Sequence, residues 1–161
     1  MRNLRRFGYG IKGFTLSMIE TAVELSEGRV RGDEIGQILD FAKEMMAAPV
    51  ELLPCVRETL TALSQRFRLL LITKGDLFDQ ETKLARSGLA DLFDAVEVLS
   101  EKHAAAYQAV LAKHSVAPNR FLMVGNSARS DILPVAELGA RAVHIPYAIT
   151  WQHEEAEPGA T

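Results

Sequence analysis

Four short apolar runs, separated by stretches of helical pattern, constrain this chain more than any other feature. They are residues 68–73 (RLLLIT), 95–99 (AVEVL), 121–125 (FLMVG) and 141–145 (RAVHI). A continuous apolar run of this length suits a strand of a parallel sheet, because helices cover both of its faces. The intervening stretches predict helices over residues 78–86, 103–114 and 130–138, the first and last stopped by Gly88 and Gly139. Repeated strand–helix–strand units predict an α/β fold with a parallel sheet between two helical layers. In such sheets ligands bind beyond the carboxyl ends of the strands. The residues just after each run are therefore the candidates for chemistry.

The chain before this region reads differently. Residues 1–48 carry helical periodicity only. Ser17 followed by Glu20 has the form of a capping box, and Asp33 precedes a stripe of Ile35, Ile38, Leu39, Ala42, Met45 and Met46 at helical spacing. The methionines sit on that stripe, as core packing requires. Gly28, Gly32 and Asp33 punctuate the join. Pro49 and Pro54 mark a boundary, and Pro54 suits the first turn of a helix carrying Val56, Leu60, Leu63 and Phe67 on one face. The expected organisation is a helical segment over 1–48, an α/β region over 49–153 and a tail over 154–161.

Composition narrows the function classes. A formal net charge of −3 over 161 residues gives no basis for nucleic acid or an anionic membrane as partner. The basic cluster Arg2, Arg5 and Arg6 is short and reads as a solvated helix face. Cys55 is the single cysteine, so no intrachain disulfide can form, which fits a reducing compartment. The start of the chain has no apolar core run of a signal peptide, and no stretch approaches the apolar length of a membrane span. These points together predict a cytoplasmic protein. Its oligomeric state is not readable.

Three strand ends carry groups that could do chemistry. Thr73, Lys74, Gly75 and Asp76 follow the first run. A hydroxyl and backbone N–H groups there make an anion site, although a plain turn with Asp76 capping the next helix accounts for the same residues. Lys102 follows the second run, where its ammonium could neutralise a phosphate or carboxylate or could simply be solvated. Gly125, Asn126, Ser127 and Asp131 follow the third. Asn126 and Asp131 offer oxygens to a hard cation such as Mg²⁺. Alternatively, Ser127 or Ser130 caps a helix whose positive end Asp131 favours. No Gly-x-Gly-x-x-Gly follows any run, which excludes a dinucleotide-binding domain.

Taken in order, Thr73, Lys102 and the run GNSARSD resemble motifs two, three and four of the haloacid dehalogenase (HAD) superfamily. Residues 1–48 resemble its helical cap, and LLPCVRETLTAL resembles the return from cap to core. The resemblance implies a Rossmannoid three-layer core with a partial helical cap. It also implies a small phosphorylated metabolite as substrate and Mg²⁺ as cofactor. Thr73 would hydrogen-bond the phosphoryl oxygens with Lys74 beside it, Lys102 would balance their charge, and Asp131 would hold the metal together with Asn126. Phosphoryl transfer depends on such positioning and charge neutralisation.

Two departures qualify this. The family's nucleophile is the first aspartate of an Asp-x-Asp-x-Thr after the first strand, and no such motif occurs in these 161 residues. The first core strand, the nucleophile and the start of the cap are therefore expected to be missing from this chain, which alone should be inactive. It is then a fragment of an enzyme or a catalytically dead remnant serving as a binding module. The second departure is Asn126, where many members have Asp. It removes a charge from the metal site and leaves open a metal-independent haloacid dehalogenase.

Overall fold

A computed structural model describes residues 2–147. The chain divides between Ser100 and Glu101 into two compact units. The tail expected over residues 154–161, and the end of the α/β region at 153, lie outside the described residues.

The first unit begins with three helices, α1 (Arg2–Phe7), α2 (Ile11–Leu25) and α3 (Gly32–Ala47), each packed on the next. Gly8 and Gly10 take positive φ values of 70° and 97° between α1 and α2, a conformation costly for any other residue. Gly13 is needed for a different reason. A Cβ there would lie 2.5 Å from the carbonyl oxygen of Gly8, so the turn closes only on glycine.

Several local expectations are corrected here. Ser17 does not start a helix; it lies inside α2 and its hydroxyl donates to the carbonyl of Gly13 at 2.8 Å. Hydroxyls inside a helix bond back to the preceding turn in this way. Asp33 is not the cap of α3 but the second residue of the helix, ion-paired with Arg31. The helix start is instead satisfied by Glu34, whose Oε2 accepts from the backbone N–H of Arg31 at 2.8 Å. Arg2, Arg5 and Arg6 are exposed, as expected of a solvated helix face, and two of them reach α2: Arg2 pairs with Glu24, and Arg6 with Glu20 at 2.8 Å.

Helix α4 (Val56–Ser64) starts after a left-handed Cys55, so Pro54 precedes the helix instead of opening it. Then come β1 (Leu70–Lys74), α5 (Leu77–Ser87) and, after a 3₁₀ turn, β2 (Ala95–Leu99). β1 and β2 pair in parallel with Thr73 opposite Val98. Asp76 caps α5 by accepting from the N–H of Asp79, and Gly88 ends it at φ 65°. Arg57 donates to the carbonyls of Ser87 and Gly88, both at 3.0 Å, which fixes α4 on the negative end of α5.

The second unit holds α6 (Ala104–Lys113), β3 (Leu122–Gly125), a π-helical turn (Ala128–Ile132), α7 (Leu133–Glu137) and β4 (Arg141–His144). β3 and β4 are parallel, with Gly125 opposite His144. Tyr107, Val110, Leu111, Phe121, Met123 and Val135 form its buried core. The expectation of strands buried on both faces is not met. Only Ile72 of β1 is buried. In β3, Met123 faces the core while Leu122 and Val124 are 53% and 48% exposed. Among the described residues each strand pairs on one side only, so an apolar run is here no guarantee of burial.

Candidate active site

In the first unit, Thr73 and Lys74 end β1, as expected. The hydroxyl of Thr73 donates to Oε1 of Gln80 at 3.0 Å, one turn into α5. A ligand anion at Thr73 must therefore compete with this amide. Gly75, at φ 140°, makes the sharp exit from the strand. The ammonium of Lys74 stands 4.3 Å above the ring of Tyr9, a cation–π contact that joins the α1–α2 loop to the end of β1. On the other side of that loop, Lys12 pairs with Asp76 at 2.9 Å. This ion pair and the N–H of Asp79 hold the Asp76 carboxyl below its ordinary value, Lys12 being the larger cause.

In the second unit the structure brings Lys102 and Asp131 together. Lys102 Nζ lies 2.7 Å from Asp131 Oδ1, and their side chains are only 10% and 6% exposed. The reading of Lys102 as an ordinary surface lysine is thereby excluded. Asp131 Oδ2 accepts from the backbone N–H of Ser127 at 3.1 Å. Tyr107 is fully buried, and its hydroxyl lies 3.0 Å from the carbonyl of Ser130 and 3.4 Å from Asp131 Oδ1. One hydroxyl proton serves one acceptor well, and the shorter contact is to Ser130. Tyr107 thus fixes the backbone beside Asp131.

Ser127 is the cap, its hydroxyl accepting from the N–H of Ser130 at 3.0 Å. Of the alternatives left open for this run, the structure shows the cap: Ser127 caps the turn, and Asp131 is buried. Asp131 comes this close to β3 because residue 125 is glycine. A Cβ at Gly125 would sit 2.3 Å from Asp131 Oδ2. Asn126 is exposed, and its backbone carbonyl accepts from His144 Nε2 at 3.0 Å, so that nitrogen carries the proton. Sequence reasoning missed Gln80, Tyr107 and His144. None has a local signal, because each reaches its partner only through the fold.

The donor set can be tested against Mg²⁺. Among the described residues no three His, Cys, Asp or Glu side chains gather to hold a metal ion. A carboxylate has about four lone-pair positions, and three donors already approach Asp131. Mg²⁺ takes one or two carboxylates and fills its remaining positions with water and substrate oxygens. Asp131 is a single carboxylate of the type such a site uses, and its two oxygens are already engaged by Lys102 and by the N–H of Ser127.

Parallel strand pairs alternating with helices define an α/β protein, with polar side chains following β1, β2 and β3. The model of the haloacid dehalogenase-like hydrolases matches residues 4–139, and the chain belongs to that family. A haloacid dehalogenase-like family hydrolase from Xanthomonas campestris is similar in structure, with a TM-score of 0.87 and 46% identity over 94% of this chain. The match takes in 65% of that protein, so this chain spans just under two thirds of its length. A predicted phosphoglycolate phosphatase from Haemophilus somnus 129pt has a TM-score of 0.65 at 23% identity, over 92% of this chain and 72% of its own. A 2-haloacid dehalogenase from Pseudomonas syringae pv. Tomato DC3000 has 0.57 at 24%, over 83% and 59%. At these identities the last two speak to the fold alone. No curated protein matches the chain.

Proposed function

We propose that the whole protein is a Mg²⁺-dependent phosphatase of a small phosphorylated metabolite, acting in the cytoplasm, and that residues 1–48 are part of its cap. The observation that carries this reading is the sealed Lys102–Asp131 pair. Burying two charges is costly, and a well-packed apolar pair is often as stable. The pair's place after β2 and β3 supports a role in the reaction, and the family resemblance gives charge balancing to Lys102 and metal holding to Asp131. In this reading Thr73 turns its hydroxyl from Gln80 to a phosphoryl oxygen, assisted by Lys74. Lys102 shares its ammonium between Asp131 and the phosphoryl group. Mg²⁺, when bound, screens the phosphoryl charge.

The nucleophile is the part these 161 residues do not supply, since no Asp-x-Asp-x-Thr follows a strand. Asp76 is engaged as a helix cap, Asp79 pairs with Lys83 at 2.9 Å, and Asp131 is held by Lys102. The test compares the chain with a version carrying an in-frame upstream segment that contains Asp-x-Asp. The short chain should not hydrolyse an aryl phosphate with or without Mg²⁺, and the extended one should do so only with Mg²⁺. Turnover by the short chain, lost in Asp131→Asn, would mean that the nucleophile has been misassigned.

Asn126 favours a second reading, a metal-independent haloacid dehalogenase, because a neutral amide weakens a cation site. Halide release from a 2-haloacid by the extended chain in the presence of a chelator would establish it. An extended chain silent in both assays would point to a binding module.

A further inference from the structure

Backbone hydrogen bonds join β3 to β4 up to their carboxyl ends, where the N–H of Ile145 donates to the carbonyl of Gly125 at 2.9 Å. Beyond Gly125 the chain leaves the strand for the π-helical turn. The next carbonyl, that of Asn126, is reached by a side chain: His144 Nε2 donates to it at 3.0 Å. The same peptide bond carries the N–H of Ser127, which donates to Asp131 Oδ2 at 3.1 Å. One peptide bond thus links an exposed imidazole at the end of β4 to a carboxylate residue only 4% exposed.

We propose that His144 is a positioning residue for Asp131, acting through the peptide bond between Asn126 and Ser127. It fixes the plane of that peptide, so that the N–H of Ser127 stays aimed at Oδ2 and Oδ1 stays on Lys102. The inference rests on the phosphatase reading for the task that the oriented carboxylate performs.

Three observations carry it. The first is rigidity. A peptide unit is planar, so an anchor on its oxygen also sets the direction of its N–H. The second is polarisation. A carbonyl that accepts a hydrogen bond makes the N–H of its own peptide a better donor, by about 10–30% per bond. The third is the absence of slack around the carboxylate. Lys102 Nζ lies 2.7 Å from Oδ1. A Cβ at Gly125 would lie 2.3 Å from Oδ2, so the carboxylate fills the space that a side chain there would take. Ser127 holds the turn from within, its carbonyl accepting from the N–H of Asp131 at 2.8 Å and its hydroxyl from the N–H of Ser130 at 3.0 Å. His144 adds an anchor from outside the turn, on the neighbouring strand. Water competes for an exposed imidazole, so the loss of this one bond has a modest effect.

The experiment is NMR on the full 161-residue chain with two variants. His144→Phe keeps a flat ring and removes the donor, whereas His144→Gln keeps a side-chain N–H. Wild type should show a scalar coupling across the hydrogen bond from Ser127 N to Asp131 Cγ. In His144→Phe that coupling should vanish and the Ser127 amide should exchange about tenfold faster, as the loss of one net hydrogen bond implies. Both should largely return in His144→Gln. The Ile145 amide should keep its exchange rate in both variants, because strand pairing is untouched. No coupling in wild type, or a Ser127 amide indifferent to His144→Phe, overturns the proposal. So does equal loss at Ile145, which would mean that the strands have parted, and so does a failure of His144→Gln to rescue. In the extended chain, hydrolysis of an aryl phosphate should fall about tenfold in His144→Phe and recover in His144→Gln, as for other residues that orient a metal-holding group. Turnover indifferent to His144→Phe would overturn the proposal as well. An extended chain silent in every form, with the NMR response intact, would overturn the phosphatase reading and leave the positioning of Asp131 standing.

Discussion

Lys102 and Asp131 illustrate how little a charged residue's type says about its surroundings. Each is polar and follows a strand, yet both side chains are nearly sealed from water. Removing one member of a buried pair leaves the other charge uncompensated, at a cost of about 3–5 kcal/mol. Lys102→Met should therefore destabilise the chain by about that amount in urea unfolding. Adding Asp131→Asn should recover a substantial part. The amide needs no counter-charge, and its oxygen can still accept from Ser127. A double variant no more stable than Lys102→Met would show that packing, not charge, sets the cost. Gly125 makes a second prediction. A methyl group there cannot avoid Asp131 Oδ2, so Gly125→Ala should cost about 1–3 kcal/mol, as overpacking does. A melting temperature equal to wild type would mean that Asp131 moves aside freely. Of the candidate site residues, the sequence exposed those that follow strands directly. Gln80 and Tyr107 were invisible because their partners lie 7 and 23 residues away, with nothing in spacing to link them.

Among the elements, α5 was legible from both ends, since Asp76 and Gly88 are a cap and a stop by local chemistry alone. Helix α2 was not. Ser17 and Glu20 have the form of a capping box, but the true break lies at Gly8 and Gly10, where φ is positive. A capping motif signals a helix start only when the preceding residues leave the helix, and residues 11–16 do not. The cap of α5 supports a prediction on acid titration. Lys12, and then the N–H of Asp79, lower the Asp76 pKa in the folded chain below 3.8. A depressed carboxyl stabilises the fold above its unfolded value and loses that contribution as pH falls through the folded one. Asp76 therefore adds stability above pH 3.8 that disappears in stronger acid. In Lys12→Met its carboxyl midpoint, followed by NMR, should rise towards 3.8 without reaching it, because Asp79 still donates. An unmoved midpoint would mean that the ion pair does not persist in solution.

At the scale of the whole molecule, the alternation of strand and helix was legible because it is written in local periodicity. The division at Ser100 was not, because it depends on which contacts form and not on any change of composition. The two units differ in how they bury their residues. Helix α1 buries none, α2 buries Gly13 and Thr15, and α3 buries Ala42. In the second unit, α6 alone buries Tyr107, Val110 and Leu111, and Phe121, Met123 and Val135 are buried as well. Apolar burial of about 25 cal/mol per Å² is the main favourable term, so local stability should follow this contrast. Regions with few buried contacts open at lower free energy than the core around them. Native-state hydrogen exchange should therefore find the slowest amides in α6 and β3, with α1 exchanging fastest and α2 and α3 between. The same order should appear in limited proteolysis, with first cuts before residue 48. Amides of α2 or α3 that outlast those of α6 would overturn this ranking. They would show that the helical segment draws its stability from contacts other than its own few buried side chains.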